Sequence, residues 1–271
     1  MLVKRLVVAI ILLPVGLAVI AFGGWLYVAF IALILGLAAW EYVQLFRAGG
    51  LRPAGVLVLA GVLLLVLGRA VNSFDSAAWM ISLLILVSMT YHLLAYERGR
   101  DQAGTDFGVT LAGVLYIGWI GAYLISLRNL PEGKWWFLVV FPAVWLADSA
   151  AFFIGRQFGR HKLSPRLSPK KSWEGYLAGV VFGVLGGAFF GWLWRLGAGP
   201  ASALTPWRGC LIGLAMGVLP TLGDLGESMI KRQVGVKDSS NLLPGHGGFF
   251  DRIDSWLWAG VIGYYMIVWL F

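Results

Sequence analysis

The chain of 271 residues has 59% hydrophobic side chains, 14 Trp and a mean hydropathy of +0.82, with only 13% charged residues. Soluble domains carry about 25% charged residues, so this composition belongs in a bilayer, with room for one compact helical domain and little for a separate soluble one. The net charge of +8 could suit nucleic acid, but the cations fall in loops between apolar runs. Anionic membrane lipids and a phosphorylated substrate are therefore the expected partners, and nucleic acid is not.

Taken in order, apolar runs of spanning or near-spanning length fall at about 5–22, 25–46, 54–71, 77–96, 107–127, 135–154, 174–194, 208–230 and 255–271. Each approaches the ~20 residues a membrane helix needs. Lys4 and Arg5 precede the first run as in a signal peptide, but a second span follows at once where a polar mature chain would begin. The expectation is an all-α, polytopic integral membrane protein of about nine helices. Strands are not expected, because the runs are continuous rather than alternating and open sheet edges do not face lipid.

Nine spans put the termini on opposite sides. With the N-terminus inside, sixteen of the 21 Lys and Arg residues fall in inner loops, the sorting the positive-inside rule demands. This places the N-terminus in the cytoplasm and the C-terminus outside a cell (inner, cytoplasmic) membrane. The long polar loops 155–173 and 231–254 then face the cytoplasm, and function is expected there. Residues 1–130 read as a helical scaffold and 131–271 as the catalytic region. Trp25, Trp135, Trp136, Trp207 and Trp269 sit near span ends, as interfacial anchors do.

Ionisable residues inside spans are costly and usually face a polar cavity. Asp224, in GLAMGVLPTLGDLGESMIKR, follows Pro220 and Gly223, which can kink or open the helix, and a polar stripe of Glu227 and Ser228 leads from it to Lys231. Glu41 lies near the inner end of the second span, where it either faces the cavity or snorkels. Asp148 closes the sixth span, after which Arg156, Arg160, His161, Lys162, Arg166, Lys170 and Lys171 follow. Such a run can be a topology signal alone. Ser172, however, is placed to cap the seventh helix with Glu174 in its first turn, which would set Lys170 and Lys171 beside a helix N-terminus, a natural phosphate site. His92 and His161 have no partner at metal spacing. HExxH, paired CxxC, GxSxG and P-loop motifs are lacking, and the single Cys210 forms no intramolecular disulfide.

The stretch Ser228–Asp254, SMIKRQVGVKDSSNLLPGHGGFFDRID, gathers charge that the rest of the chain avoids. Lys231, Arg232, Lys237 and Arg252 supply cations; Asp238, Asp251 and Asp254 supply anions. Pro244, Gly245, Gly247 and Gly248 break any helix and let backbone N–H groups approach a ligand. Asp251 and Asp254 share a face if the chain turns helical after Gly248. Carboxylates beside glycine turns and cations are what a magnesium-bound nucleoside triphosphate requires.

This stretch resembles the signature of the phosphatidate cytidylyltransferase (CDP-diacylglycerol synthase) family, bacterial type: Ser228, Lys231-Arg232, Lys237-Asp238, Pro244, His246-Gly247-Gly248, and Asp251-Arg252 with Asp254 fill its fixed places. Asp148, Gly155, Gly159 and the run Ser168–Gly175 are similar to a second family block, so the likeness covers roughly the C-terminal half. The resemblance implies an enzyme that joins CTP and phosphatidic acid to give CDP-diacylglycerol and pyrophosphate. It implies dependence on Mg2+ with a monovalent cation such as K+, a homodimer, and Asp224, Asp251 and Asp254 as metal-site residues. Lys171 and Lys231 are the further catalytic candidates. Asp148, Lys170, Ser172, Ser228, Arg232, Lys237, Asp238, His246, Gly247, Gly248 and Arg252 are the substrate contacts, with His246 assigned to structure or phosphate contact rather than to base catalysis. A CTP-dependent polyprenol kinase or an ether-lipid cytidylyltransferase would share such a fold. A secondary transporter is a rival of another class, disfavoured because the polar residues concentrate in loops.

Overall fold

In the computed structural model the described residues are 14–236, 238–240, 242 and 247–271. Eight described helical segments are long and apolar enough to cross a membrane: Gly24–Ala48, Gly55–Asn72, Ala77–Glu97, Ala103–Asn129, Gly133–Phe158, Trp173–Ala198, Pro206–Gln233 and Phe250–Leu270. They coincide with the second to ninth expected spans. Of the first, residues 14–22 form a helix (α1), and residues 5–13 lie outside the described residues. The chain is all-α because hydrocarbon offers no partner for a backbone N–H, and an α-helix satisfies each one within its own segment.

The elements that follow are α2 (Gly24–Ala48), α3 (Gly55–Asn72), α4 (Ala77–Glu97), α5 (Ala103–Gly113), a π-helical turn (Val114–Trp119), α6 (Tyr123–Asn129), α7 (Gly133–Phe158), α8 (Trp173–Ala198), α9 (Pro206–Val218), α10 (Pro220–Gln233) and α11 (Phe250–Leu270). The expected span 208–230 is two helices. Pro220 lacks an N–H to continue the ladder, so α9 stops and α10 begins there.

One pair of strands, β1 (Lys162–Ser164) and β2 (Ser168–Ser172), runs antiparallel with Lys162 opposite Ser172 and Ser164 opposite Ser168. The sequence reading expected no strands. The hairpin occupies the polar stretch between two apolar runs, where the rule against sheet edges in lipid does not apply.

The chain divides into two compact units. The first comprises Met1–Ser126 and Ile230–Ile253; the second comprises Leu127–Met229 and Asp254–Phe271. In the first, Tyr27, Ile31, Leu35, Val58, Val62, Leu65, Ile117 and Leu124 form the apolar interior. Two tyrosine hydroxyls tie helices across it, Tyr27 donating to the Leu124 carbonyl and Tyr42 to that of Val109, each at 2.9 Å. The buried Arg69 guanidinium lies 3.6 Å from the centre of the Phe74 ring, near Trp119 and Tyr123, and donates to Ser126 Oγ. Asp106 accepts from the Arg52 amide and from Arg100 Nε, both at 2.7 Å, which pins two loops together and raises the pKa of Arg100 through that hydrogen bond.

The second unit rests on a glycine stripe. Helix α8 buries Gly175, Gly179, Gly183, Gly187 and Gly191, four residues apart and so along one face. Gly209, Gly213 and Gly217 of α9 meet the latter part of that face; Gly155 of α7 meets its beginning. A Cβ on Gly187 would overlap the Gly209 carbonyl oxygen, and one on Gly175 would stand 2.5 Å from the Ala151 carbonyl oxygen. Small residues let backbones touch, and dispersion between them supplies the packing that water cannot drive within lipid.

Candidate active site

In the second unit, the site grows from the way the hairpin is fastened. Ser172 accepts a hydrogen bond from the Gly175 amide at 3.2 Å and so caps α8, as its place in the sequence predicts. Glu174, in the first turn, reaches back to the Arg160 and His161 amides and to His161 Nδ1 at 2.6 Å. The Trp173 amide donates to the His161 carbonyl at 2.9 Å. These bonds fix the end of β2, which carries Lys170 and Lys171. Lys170 is exposed, whereas Lys171 Nζ lies 2.5 Å from Asp224 Oδ2.

Asp224 sits one turn into α10, just past the Pro220 break, with Ser228 Oγ 3.5 Å from its Oδ1. A Cβ on Gly223 would stand 2.5 Å from the Asp254 carbonyl oxygen, so α10 and α11 approach closely where both aspartates lie. Asp254 is half-buried, takes the Ser255 amide on its Oδ1, and feels the charges of Asp224, Asp148 and Lys171. Asp148, toward the end of α7, feels Lys171 and Asp224 in turn. Three carboxylates and one ammonium thus share one region of this unit. Among the described residues no group of three or more His, Cys, Asp or Glu is placed to hold a metal ion.

In the first unit, the last turn of α10 and the first of α11 carry the other half of the signature. Lys231 Nζ donates to Asp251 Oδ1 at 2.6 Å, with both side chains largely buried. Asp251 Oδ2 accepts from the Ser239 amide (2.9 Å), Ser239 Oγ (2.8 Å) and the Gly248 amide (2.8 Å). Gly247 has φ +81°, and a Cβ there would press on Asp251 Oδ2 at 2.7 Å, so both its conformation and its space call for glycine. A Cβ on Gly248 would overlap Ser239 Oγ and Glu41 Oε2.

The sequence reading expected Asp224, Asp251 and Asp254 to converge. Within the second unit Asp254 lies with Asp224 and Asp148; within the first, Asp251 is bonded to Lys231, Ser239 and Gly248. Arg232 donates to the Val236 carbonyl at 3.0 Å; Asp238 and Arg252 are exposed. Lys237 and His246 lie outside the described residues.

Sequence reasoning left Glu41 between cavity and interface. It is fully buried and accepts four hydrogen bonds: from Ser240 Oγ (2.6 Å) and the Phe249 amide (3.0 Å) on Oε1, and from Ser239 Oγ (2.9 Å) and the Phe250 amide (2.8 Å) on Oε2. The signal was present, since a carboxylate in an apolar span is costly unless bonded. Its partners, about two hundred residues away, were not legible.

Fold and site define an integral membrane protein whose acidic and basic side chains, held beside glycine turns, suit a polyphosphate ligand. The chain belongs to the cytidylyltransferase family, whose model matches residues 3–270. It is 36% identical to the phosphatidate cytidylyltransferase of Pseudomonas aeruginosa, covering 99% of this chain and 97% of that one. It is 32% identical to the phosphatidate cytidylyltransferase of Synechocystis sp., over 98% and 96% of the two chains. Phosphatidate cytidylyltransferase 4, chloroplastic, of Arabidopsis thaliana is 30% identical over 97% of this chain and 73% of its own.

Proposed function

We propose that the chain transfers CMP from CTP to phosphatidic acid, giving CDP-diacylglycerol and pyrophosphate. The observation that carries this reading is the pairing of a lysine from each signature block with an aspartate, Lys171 with Asp224 and Lys231 with Asp251. A lipid phosphate oxygen attacks the α-phosphorus of CTP, the bond to the β-phosphate oxygen breaks, and pyrophosphate leaves with that electron pair. A phosphate monoester is largely ionised at neutral pH, with a second pKa near ~6, so the attack needs no strong base. Both reactants are polyanions. What the protein must supply is position and positive charge.

Lys171 and Lys231, held by carboxylates in fixed places, offer ammonium groups to phosphate oxygens. In the second unit Ser172 adjoins Lys171 and caps α8, and in the first the turn of Gly247 and Gly248 adjoins the pair of Lys231 and Asp251. Asp148, Asp224 and Asp254 do not make a three-carboxylate site, but one or two of them would hold a divalent cation, since magnesium favours one or two carboxylates completed by water and substrate oxygens over an all-protein cage. Bound there, Mg2+ would offset charge on the triphosphate and the departing pyrophosphate. The same reading includes a monovalent cation such as K+ and a homodimer, both resting on the family resemblance alone. It places the N-terminus in the cytoplasm, the C-terminus outside, and the site on the cytoplasmic face of the cell membrane, as the sorting of Lys and Arg supports.

The test is transfer in detergent–lipid micelles with phosphatidic acid and CTP labelled at either the α- or the γ-phosphorus. Label from the α position in the lipid, with none from the γ position, is the expected result. Label from the γ position would make the protein a kinase, and no incorporation would overturn the reading.

A further inference from the structure

Glu41 has no place in the reaction as written, yet it is a carboxylate taken wholly out of solvent and bonded on both oxygens. All four donors come from one short region, two hydroxyls and two amides of Ser239, Ser240, Phe249 and Phe250. Phe250 is the first residue of α11 and Phe249 precedes it. Their N–H groups are among those a helix start leaves without intrahelical partners, and they carry the positive end of the helix dipole. Glu41 therefore caps α11 from a distant helix, the task a local Ser or Asp usually performs.

Asp251 lies in that same first turn. A second route joins the two carboxylates: Ser239 Oγ stands 2.9 Å from Glu41 Oε2 and 2.8 Å from Asp251 Oδ2, with one hydroxyl hydrogen to share between them. Gly248 leaves the room this arrangement needs, since a Cβ there would overlap both Glu41 and Ser239.

We propose that Glu41 is a positioning residue for nucleotidyl transfer, fixing Asp251 and with it the Lys231 ammonium through the start of α11 and through Ser239. The inference rests on the function proposed above. Glu41 itself faces protein donors, not substrate, so its loss should reach turnover more than substrate binding. Misplacing a reacting group by about 1 Å can cost roughly a hundredfold in rate.

The test compares Glu41→Gln, Ser239→Ala and the double variant. Glutamine keeps the shape but turns one acceptor into a donor facing donors. The expected result is a kcat lowered about tenfold to a hundredfold, with KM for CTP within about threefold, and a double variant no worse than Glu41→Gln, because residues acting through one bond are not additive. Hydrogen–deuterium exchange of the peptide 247–253 should rise in both single variants and stay unchanged elsewhere. An unchanged kcat in Glu41→Gln, or losses that multiply in the double variant, would overturn the proposal. Should Glu41→Gln fail to fold, Ser239→Ala decides alone: unchanged turnover and unchanged exchange at 247–253 overturn the proposal, and a lowered kcat at constant KM sustains it. A wild-type protein that transfers nothing would instead refute the function, and the exchange measurement would still decide whether Glu41 holds the turn of Asp251.

Discussion

Lys171 Nζ stands 2.5 Å from Asp224 Oδ2, joining the end of the β-hairpin to the helix that begins at Pro220. Both side chains are partly open to solvent, so the pair contributes little to stability on its own. On the function proposed above, its value lies in holding an ammonium group where phosphate can meet it. Lys171→Ala should lower CMP transfer at least about tenfold, the equivalent of one charge-assisted hydrogen bond of ~1.5–3 kcal/mol, and leave the melting temperature nearly unchanged. Steady-state kinetics beside thermal unfolding would show it. Full activity in this variant would reduce Lys171 to a topology signal.

The pair Lys231 and Asp251 should behave differently, because both side chains are largely buried. Removing one partner of a buried pair typically costs about 3–5 kcal/mol. Asp251→Asn should destabilise more than Lys231→Met, since Asp251 also receives the Ser239 amide and hydroxyl and the Gly248 amide. Thermal unfolding in detergent measures the order, and the reverse ranking would contradict the account of these bonds.

Glycine substitutions separate packing from mere flexibility. Gly187→Ala and Gly213→Ala should each cost about 1–3 kcal/mol by overpacking, since an added Cβ overlaps the carbonyl oxygens of Gly209 and Gly183, respectively. Gly108→Ala, inside α5 with nothing within 4 Å of its added Cβ, should be neutral or stabilise by up to ~1 kcal/mol through helix propensity. Melting temperatures of the three variants check this, and equal shifts would refute the glycine contact.

Metal dependence tests the acidic cluster. Like charges so close disfavour one another, and a divalent cation removes that penalty. Transfer should vanish in excess EDTA and return with Mg2+, and Asp254→Asn should lose nearly all activity while extracting as folded protein. Asp148→Asn should raise the magnesium concentration needed for half-maximal rate. Activity that persists in EDTA would refute the cation site.

The spans were legible because lipid demands long apolar runs, and the break at Pro220 and the cap at Ser172 because each follows from the chemistry of a single residue. The repeat Gly175, Gly179, Gly183, Gly187, Gly191 was also legible as a pattern, yet its meaning depends on which helix carries the matching glycines. The hairpin was hidden because three- and five-residue strands in a Ser/Pro/Lys-rich stretch leave little period to read. Glu41 and Asp251 mark the sharper limit: their types and depth were visible, but their partners are set by tertiary folding.

The bonds from Glu174 to Arg160 and His161 have a consequence for association. A polyanion that binds a loose basic loop must first order it, and each immobilised long side chain costs about 0.5–1.5 kcal/mol of freedom. Here Glu174 and the Trp173 amide have already closed the segment before any ligand arrives. Much of the entropy of arranging it is lost during folding, so on the function proposed above an incoming triphosphate would meet a surface already ordered and keep more of its attraction as affinity.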